Sequence, residues 1–541
     1  MKISPKIIAI GLFMNGLVGF AQNNEYPALA QLYSQVGPRG SARMLGLGGN
    51  YATLGADISN AGGNPAGLGF YRKSEFSFSP SLNINQNSAA YIDQTTTASK
   101  NQFNIGNIGL VIASNNTDSW SGWKTGAFAI SYSREYNLNN TIKFSGLNNR
   151  SSMTDAFAQT ANQEAANSNV TTGDFEKDFS SNGTNFDYPT SMYYFGYLIE
   201  PTTANGAPYT GVELKKSSNQ NFTFNSTGAT SQWNFAYGAS YKDKLYLGVG
   251  MALPRFTYNT TKTYQESFVG PTEINGFTSD NNLQSSGKGV NFSFGAIYRP
   301  NEIIRIGGSI TTPTWYDITE TTSQGLLVDV KGIEISNANT QQYTQYLNNL
   351  KAKGYTIADI SNKRYITGIP RLYVAPFESR YQLTTPFKAN GGVAIFFGKM
   401  GFISGDVEYV GYSGMSFKST DTNADSDLKN GGYNQDIRRI YQNVVNMKVG
   451  GELRLNPIYL RAGLAHYADP VKATDGIDRS RLIASLGAGV RTDKSFFDVA
   501  FLYGTSQSAF SPYTLSDTQK FASAKITNTT TNITATVGLF F

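Results

Sequence analysis

The stretch Asn532-Ile533-Thr534-Ala535-Thr536-Val537-Gly538-Leu539-Phe540-Phe541 decides how this chain is read. Ile533, Ala535, Val537, Leu539 and Phe541 recur at every second position, with Asn532, Thr534, Thr536 and Gly538 between them. Successive side chains of a strand point to opposite faces, so this segment has one apolar face and one polar face. About ten residues of such alternation make a strand that crosses a bilayer in a closed barrel, lipid on one side and a wet lumen on the other. The pattern recurs upstream. Phe497, Val499, Phe501 and Tyr503 form one face, and so do Leu482, Ala484, Leu486, Ala488 and Val490. Ile458 to Leu464, Val445 to Leu453 and Val290 to Tyr298 repeat it.

Very short turns join several adjacent runs: Tyr241 to Lys244, Arg299 to Glu302, Gly398 to Gly401, Asn456-Pro457 and Thr492 to Lys494. The alternate connections are long and polar, spanning residues 85–102, 137–227, 259–286, 319–386, 411–443, 468–480 and 506–530. Short turns at one end and long loops at the other are the asymmetry of bacterial transmembrane barrels. The spacing predicts an all-β fold: an antiparallel transmembrane barrel of about 14 strands, an even number. They begin near residues 75, 103, 124, 230, 244, 288, 302, 387, 401, 444, 457, 481, 495 and 531.

Composition agrees. Only 15% of the 541 residues are charged, while Gly (55), Phe (34) and Tyr (33) abound. Outside the N-terminus no run of about 18 apolar residues exists, so membrane-spanning helices are excluded. With no cysteine, disulfides and thiolate metal sites are excluded too. The net charge of +6 is spread without dense clusters, which argues against a nucleic-acid partner. Lys2 and Lys6, then the apolar stretch Ile7 to Phe20, then Ala21, read as a secretory leader over residues 1–21.

Residues 22–73 lack strand alternation. Leu29, Leu32, Tyr33 and Val36 fit a short amphipathic helix, followed by a glycine-rich stretch from Gly40 to Gly49, then Asp57 and Asn64-Pro65-Ala66-Gly67. A barrel of this size leaves a lumen, and this segment is the plug expected to fill it. No Lys-Ser or Lys-Thr follows the glycines at phosphate-loop spacing, so a nucleotide site is not implied. The long loops carry helical spacing at Met153, Phe157, Ala161 and Ala165, and at Tyr343, Tyr346, Leu347 and Leu350 before Gly354.

The pattern Gly40, Ala42, Arg43, Gly46, Gly48, Gly49, Asp57 and Asn64 to Gly67 resembles the N-terminal hatch of the FadL/TodX outer-membrane transporters of long-chain fatty acids and aromatic hydrocarbons. The chain departs from it in having a single acid at Asp57 and Gly63 where an aromatic is common. The resemblance implies a Gram-negative outer-membrane location and a hatch over 22–73 inside a barrel over 74–541. It also implies passage by loop capture, a lumen pocket, hatch movement and a lateral gap beside a kinked early strand, with Gly126 the candidate kink. It makes the C-terminal strand the signal for the barrel-assembly machinery. The expected partners are a hydrophobic small molecule and outer-membrane lipid, with the chain a monomer, no enzyme and no cofactor.

On this reading the gate is Arg43, Gly48, Gly49, Asp57, Asn64, Pro65, Ala66 and Gly67. Met192, Tyr193, Phe195 and Leu198, with Tyr343, Tyr346 and Leu350, are expected to form an external apolar patch for ligand capture, against the plainer reading that they pack the loops together. Lys448, Arg454 and Arg461 are candidates to meet a carboxylate head, against pairing with Glu452 and Asp498. Two alternative functions share the fold: a hemin receptor, with the single His466 expected to line the lumen, and a docking barrel of a surface complex. A hydrolase is disfavoured because one histidine and no nucleophile elbow leave no catalytic set.

Overall fold

The computed structural model describes residues 25–116, 121–203, 206–212, 217–336, 340–420, 428, 430–472 and 475–541, so the leader expected over 1–21 lies outside the described residues. No described helix is long and apolar enough to cross a membrane. The chain crosses with strands instead, in a closed antiparallel barrel of 14 staves.

The staves are β1 (Glu75–Tyr91), β2 (Gln94–Asn115), β3 (Trp123–Asn137 and Asn140–Asn148), β4 (Ser218–Tyr241), β5 (Leu245–Phe268), β6 (Ile274–Tyr298) and β7 (Ile304–Thr311 and Trp315–Val330). They continue with β8 (Leu372–Thr384 and Lys388–Phe396), β9 (Gly401–Val410 and Ser416–Ser419), β10 (Val444–Leu455), β11 (Ile458–Tyr467), β12 (Arg481–Arg491), β13 (Ser495–Phe510) and β14 (Ala524–Phe540). Each pairs with its sequence neighbour, and β14 returns to β1 with Val537 opposite Phe78 and Ile533 opposite Leu82. Val537 and Leu539 point outward, 46% and 54% exposed. A wall that presents Leu, Val, Ile and Phe to the outside is built for lipid contact.

Five short turns lie where expected, but staves β2, β4, β6, β8 and β14 begin well before the expected 103, 230, 288, 387 and 531. In β5, Leu247, Val249, Met251 and Leu253 face outward; above them the outward positions become Arg255, Thr257 and Asn259, while Phe256 and Tyr258 turn inward. The apolar face thus changes sides where the stave leaves lipid. Trp233 and Trp315 sit exposed at that height on β4 and β7, as interfacial aromatics do. The true connections at the loop end are correspondingly shorter, residues 92–93 and 269–273 among them.

Residues 25–71 lie inside the ring. Helix α1 (Glu25–Tyr33) stacks Tyr33 on Phe256 at 4.0 Å and sets Tyr26 against Tyr381 at 5.3 Å. Helix α2 (Ala42–Gly46) follows, then two 3-10 turns, Ile58–Ala61 and Pro65–Phe70. Below α1 this segment touches the wall through backbone. A Cβ built on Gly248 of β5 would overlap Pro65, on Gly450 of β10 the Leu47 carbonyl, and on Gly307 of β7 the Ala52 carbonyl. Gly463 of β11 meets Gly48 in the same way. A girdle of inward glycines therefore lets main chain lie on main chain.

Over-packing at such a contact costs about 1–3 kcal/mol. Gly248→Val is expected to displace the inner segment while leaving the ring closed. Planar-bilayer conductance should rise while the heat-resistant folded band on gels persists; unchanged conductance would count against the segment's tight seat.

Candidate functional site

The inner segment is held at its short-turn end by an ion network. Arg461 Nε donates to Glu452 at 2.8 Å and its Nη1 to Asp498 at 2.5 Å, and Arg454 donates to Glu452 at 2.8 Å. Arg43 joins from the inner segment, 3.6 Å from Glu452 and 3.8 Å from Asp57. Lys448 lies 3.2 Å from Glu408. Lys448, Arg454 and Arg461 are thus paired with wall carboxylates rather than offered to a ligand head, because a buried charge without a partner is costly.

The expected gate residues have plain local roles. Asp57 caps its 3-10 turn through Ser59 N and accepts from Ser41 Oγ. Asn64 caps the next turn and donates to the carbonyls of Ala52 and Gly308 at 2.7 and 3.2 Å. Gly48 and Gly49 adopt φ of +75° and +76°, which favours glycine. Gly67 packs on Asn60, and Pro65 and Ala66 sit on β5 beside Gly248.

The break in the wall is elsewhere. The β2–β3 ladder runs from Asn115/Thr125 to Asn107/Ser133 and stops. Beyond it, Gln94 to Gly106 of β2 pairs only with β1, while β3 breaks at Leu138-Asn139 and its upper half pairs with β4. The kink is therefore at Leu138-Asn139, not at Gly126, which lies within the ladder opposite Ser114. β7 and β8 also break, at Pro313 and Pro386, yet stay bridged by Thr314 N donating to Thr385 Oγ1 and Thr385 N to the Thr314 carbonyl. Across the β2–β3 seam side chains reach: Arg134 Nη2 and Asn139 Nδ2 donate to Gln102 Oε1, and Ser145 Oγ to Gln94 Oε1. Phe103, 72% exposed, flanks it on the outside.

A cavity of about 360 Å³ lies behind this seam. Its boundary includes Asn104 and Gly106 of β2, Arg134 to Asn140 of β3, and Gln35 to Gly40 of the inner segment. The stretch Val36-Gly37-Pro38-Arg39 is the part of the inner segment at the seam, fixed by an Arg39–Glu135 ion pair and by Arg39 donating to the Gly62 carbonyl at 2.7 Å. Of this stretch the sequence pattern marked only Val36, as a helix residue. His466 faces outward from β11, exposed, so it does not line the lumen.

Above the cavity the long loops fold into a cap. Helices α3 (Met153–Ser168), α4 (Thr172–Asn182), α5 (Pro189–Phe195) and α6 (Gln341–Ala352) include both helices expected from spacing. Met192, Tyr193, Phe195, Leu198 and Leu350 are buried inside it, Tyr193 stacked on Phe157 at 3.8 Å and Phe195 on Phe179 at 4.0 Å. Tyr343 and Tyr346 are half-buried. These residues are the cap's core, not an external patch: side chains this apolar lower their free energy by packing on one another.

The class these features define is a plugged transmembrane β-barrel with a side seam. No family model and no curated protein matches the sequence. Among solved structures, the chain is similar to a FadL homologue of Pseudomonas aeruginosa, with a TM-score of 0.54 at 12% identity over 93% of this chain and 99% of that one. It is also similar to the toluene transporter TodX of P. putida, with a TM-score of 0.50 at 11% identity over 93% and 99%. The fold is that of the FadL/TodX barrels, as the N-terminal motif led one to expect.

Two outcomes follow. Arg43→Gln removes the one cation that the inner segment contributes to Glu452, which keeps Arg454 and Arg461; the inner segment should become protease-sensitive while the barrel stays intact, and equal protection in wild type and variant would argue against the anchor. In the cap, burial raises the Glu164 carboxyl from its ordinary 4.5 to about 7, with Thr190 pulling it partly back. Because the folded value lies above the unfolded one, the stability it contributes is full below about pH 4.5 and is lost as pH rises through about 7. Hydrogen exchange in α3 and α5 should quicken over that window, and Glu164→Gln should flatten the response.

Proposed function

We propose that this protein is a transporter in the outer membrane of a Gram-negative bacterium, carrying hydrophobic small molecules, fatty-acid-like or aromatic, by passive diffusion through a gated barrel. The observation that carries the reading is the joining of a plugged lumen to a wall seam: the cavity beside the plug reaches the stretch where β2 and β3 share no backbone pairing. A solute that cannot cross a polar sugar layer could enter through the cap, rest in the cavity and leave sideways into lipid. Each step requires only differential binding along a gradient. The inner segment, residues 22–73, acts as the hatch; its Val36–Arg39 stretch, which stands at the seam, is the part that must shift. Arg481 suits a carboxylate head better than the paired wall cations do. It lines the cavity with no acid partner among its described contacts, donates to the Val36 carbonyl and lies over the Tyr467 ring at 4.8 Å.

The chain's lack of cysteine allows a clean test. Gln102→Cys with Asn139→Cys, joined by a short bis-thiol linker, would pin the seam. Cells carrying the linked protein should lose most of their uptake of radiolabelled laurate, and reduction of a cleavable linker should restore it. Full uptake through the pinned barrel would rule out exit through this seam.

A further inference from the structure

The cavity is poorly suited to a bare hydrocarbon. Part of its lining is apolar, with Leu32, Val36, Phe224 and Leu502 among the residues. The polar lining comes from inward positions of β14, β1 and β2, where Asn83, Asn85, Asn87, Asn104, Asn528 and Asn532 stand together, Asn532 across the β13–β14 ladder from Leu502. Part of this amide set satisfies itself. Asn532 donates to Ser81 Oγ and Asn83 Oδ1, each at 2.8 Å, and Asn528 donates to Asn87 Oδ1 at 2.8 Å.

Asn85 and Asn87 donate to the Asn139 and Thr141 carbonyls, at 3.1 and 2.7 Å, and Asn104 alone stands apart from this network. Both amide atoms of Asn104 are buried without a hydrogen-bond partner, as are Arg134 Nε, Arg479 Nε, the Tyr467 hydroxyl and Gln35 Oε1. All five residues line this one cavity. Tyr467 is only 2% exposed. Orphaned polar groups are rare in folded proteins and call for an explanation. Here their residues share one cavity, and four of the six atoms — Asn104 Nδ2, Arg134 Nε, Arg479 Nε and Tyr467 Oη — can donate. A plain alkane or toluene would desolvate them and return nothing. A molecule with several oxygen acceptors could satisfy them while its apolar part met the apolar lining.

We infer that the cavity selects an oxygen-rich amphiphile, with at least two hydroxyl or carbonyl oxygens beside an alkyl or aromatic body, over an unsubstituted hydrocarbon of the same length. The inference rests on the transport reading above and names its substrate class. Binding distinguishes the two. The full-length protein in nanodiscs would be equilibrated with 1-monolaurin or with dodecane, each corrected for partition into empty nanodiscs. 1-Monolaurin should bind at least about tenfold more tightly, the effect of one or more satisfied hydrogen bonds. Tyr467→Phe and Asn104→Leu should each weaken 1-monolaurin by about tenfold and leave dodecane unchanged. Tyr467→Phe removes one oxygen only, so it keeps the test valid if Asn104→Leu fails to assemble. Dodecane binding as tightly as 1-monolaurin would overturn the selectivity and spare the transport reading. So would 1-monolaurin binding that both variants leave intact, since water would then fill the polar side. Binding of neither probe would overturn both.

Discussion

A peptide group in hydrocarbon has no water to bond, so a chain that crosses lipid must pair every backbone donor and acceptor within itself. That constraint shapes this molecule. It forces the staves into a ring, which is why β14 returns to β1 along nearly its whole length. It makes the β2–β3 seam conspicuous, because there the ladder to β2 ends at Asn107 and β3 keeps only its pairing with β4. The unpaired edge of β2 is closed by amide and guanidinium side chains from Gln102, Arg134 and Asn139. Side-chain bonds break more readily than a ladder, so the wall is weakest where the cavity lies behind it.

The second consequence concerns the plug. With the ring fixed, the inner segment must fit a given bore, and it fits by backbone-to-backbone contact at Gly248, Gly307, Gly450 and Gly463. Charge supplements that contact. Glu452 receives Arg461 and Arg454 from the wall and Arg43 from the plug, so one carboxylate ties the two parts together.

Much of the fold was legible because lipid imposes a simple code. Val537 and Leu539 read as outward and are outward. The code failed where lipid stops. In β5 the sequence from Arg255 to Ser267 still alternates, but with Phe256, Tyr258 and Tyr264 inward and Thr257, Asn259 and Thr263 outward. Read as a lipid-facing strand, that inverted half looks like a polar loop. The site was less legible. Arg461 and Lys448 stand out as lumen cations, yet only tertiary distances reveal their acid partners. Met192 to Leu198 looked like a sticky surface because a buried cap core and an exposed patch have the same composition. The kink at Leu138-Asn139 carries no proline to announce it, and the seam is a missing pairing, which no single strand's sequence records.

The long staves have a bearing on the cell surface. β4, β5 and β6 run 24, 24 and 25 residues, about 80 Å of strand at 3.3 Å per residue. Tilted by about 40°, they rise far beyond an apolar band about 25 Å tall. On this side of the ring the wall therefore stands as a turret above the lipid, its outward face carrying Thr257, Asn259 and Thr261 on β5, while β10, β11 and β12, at 12, 10 and 11 residues, stop far lower and leave the rim slanted.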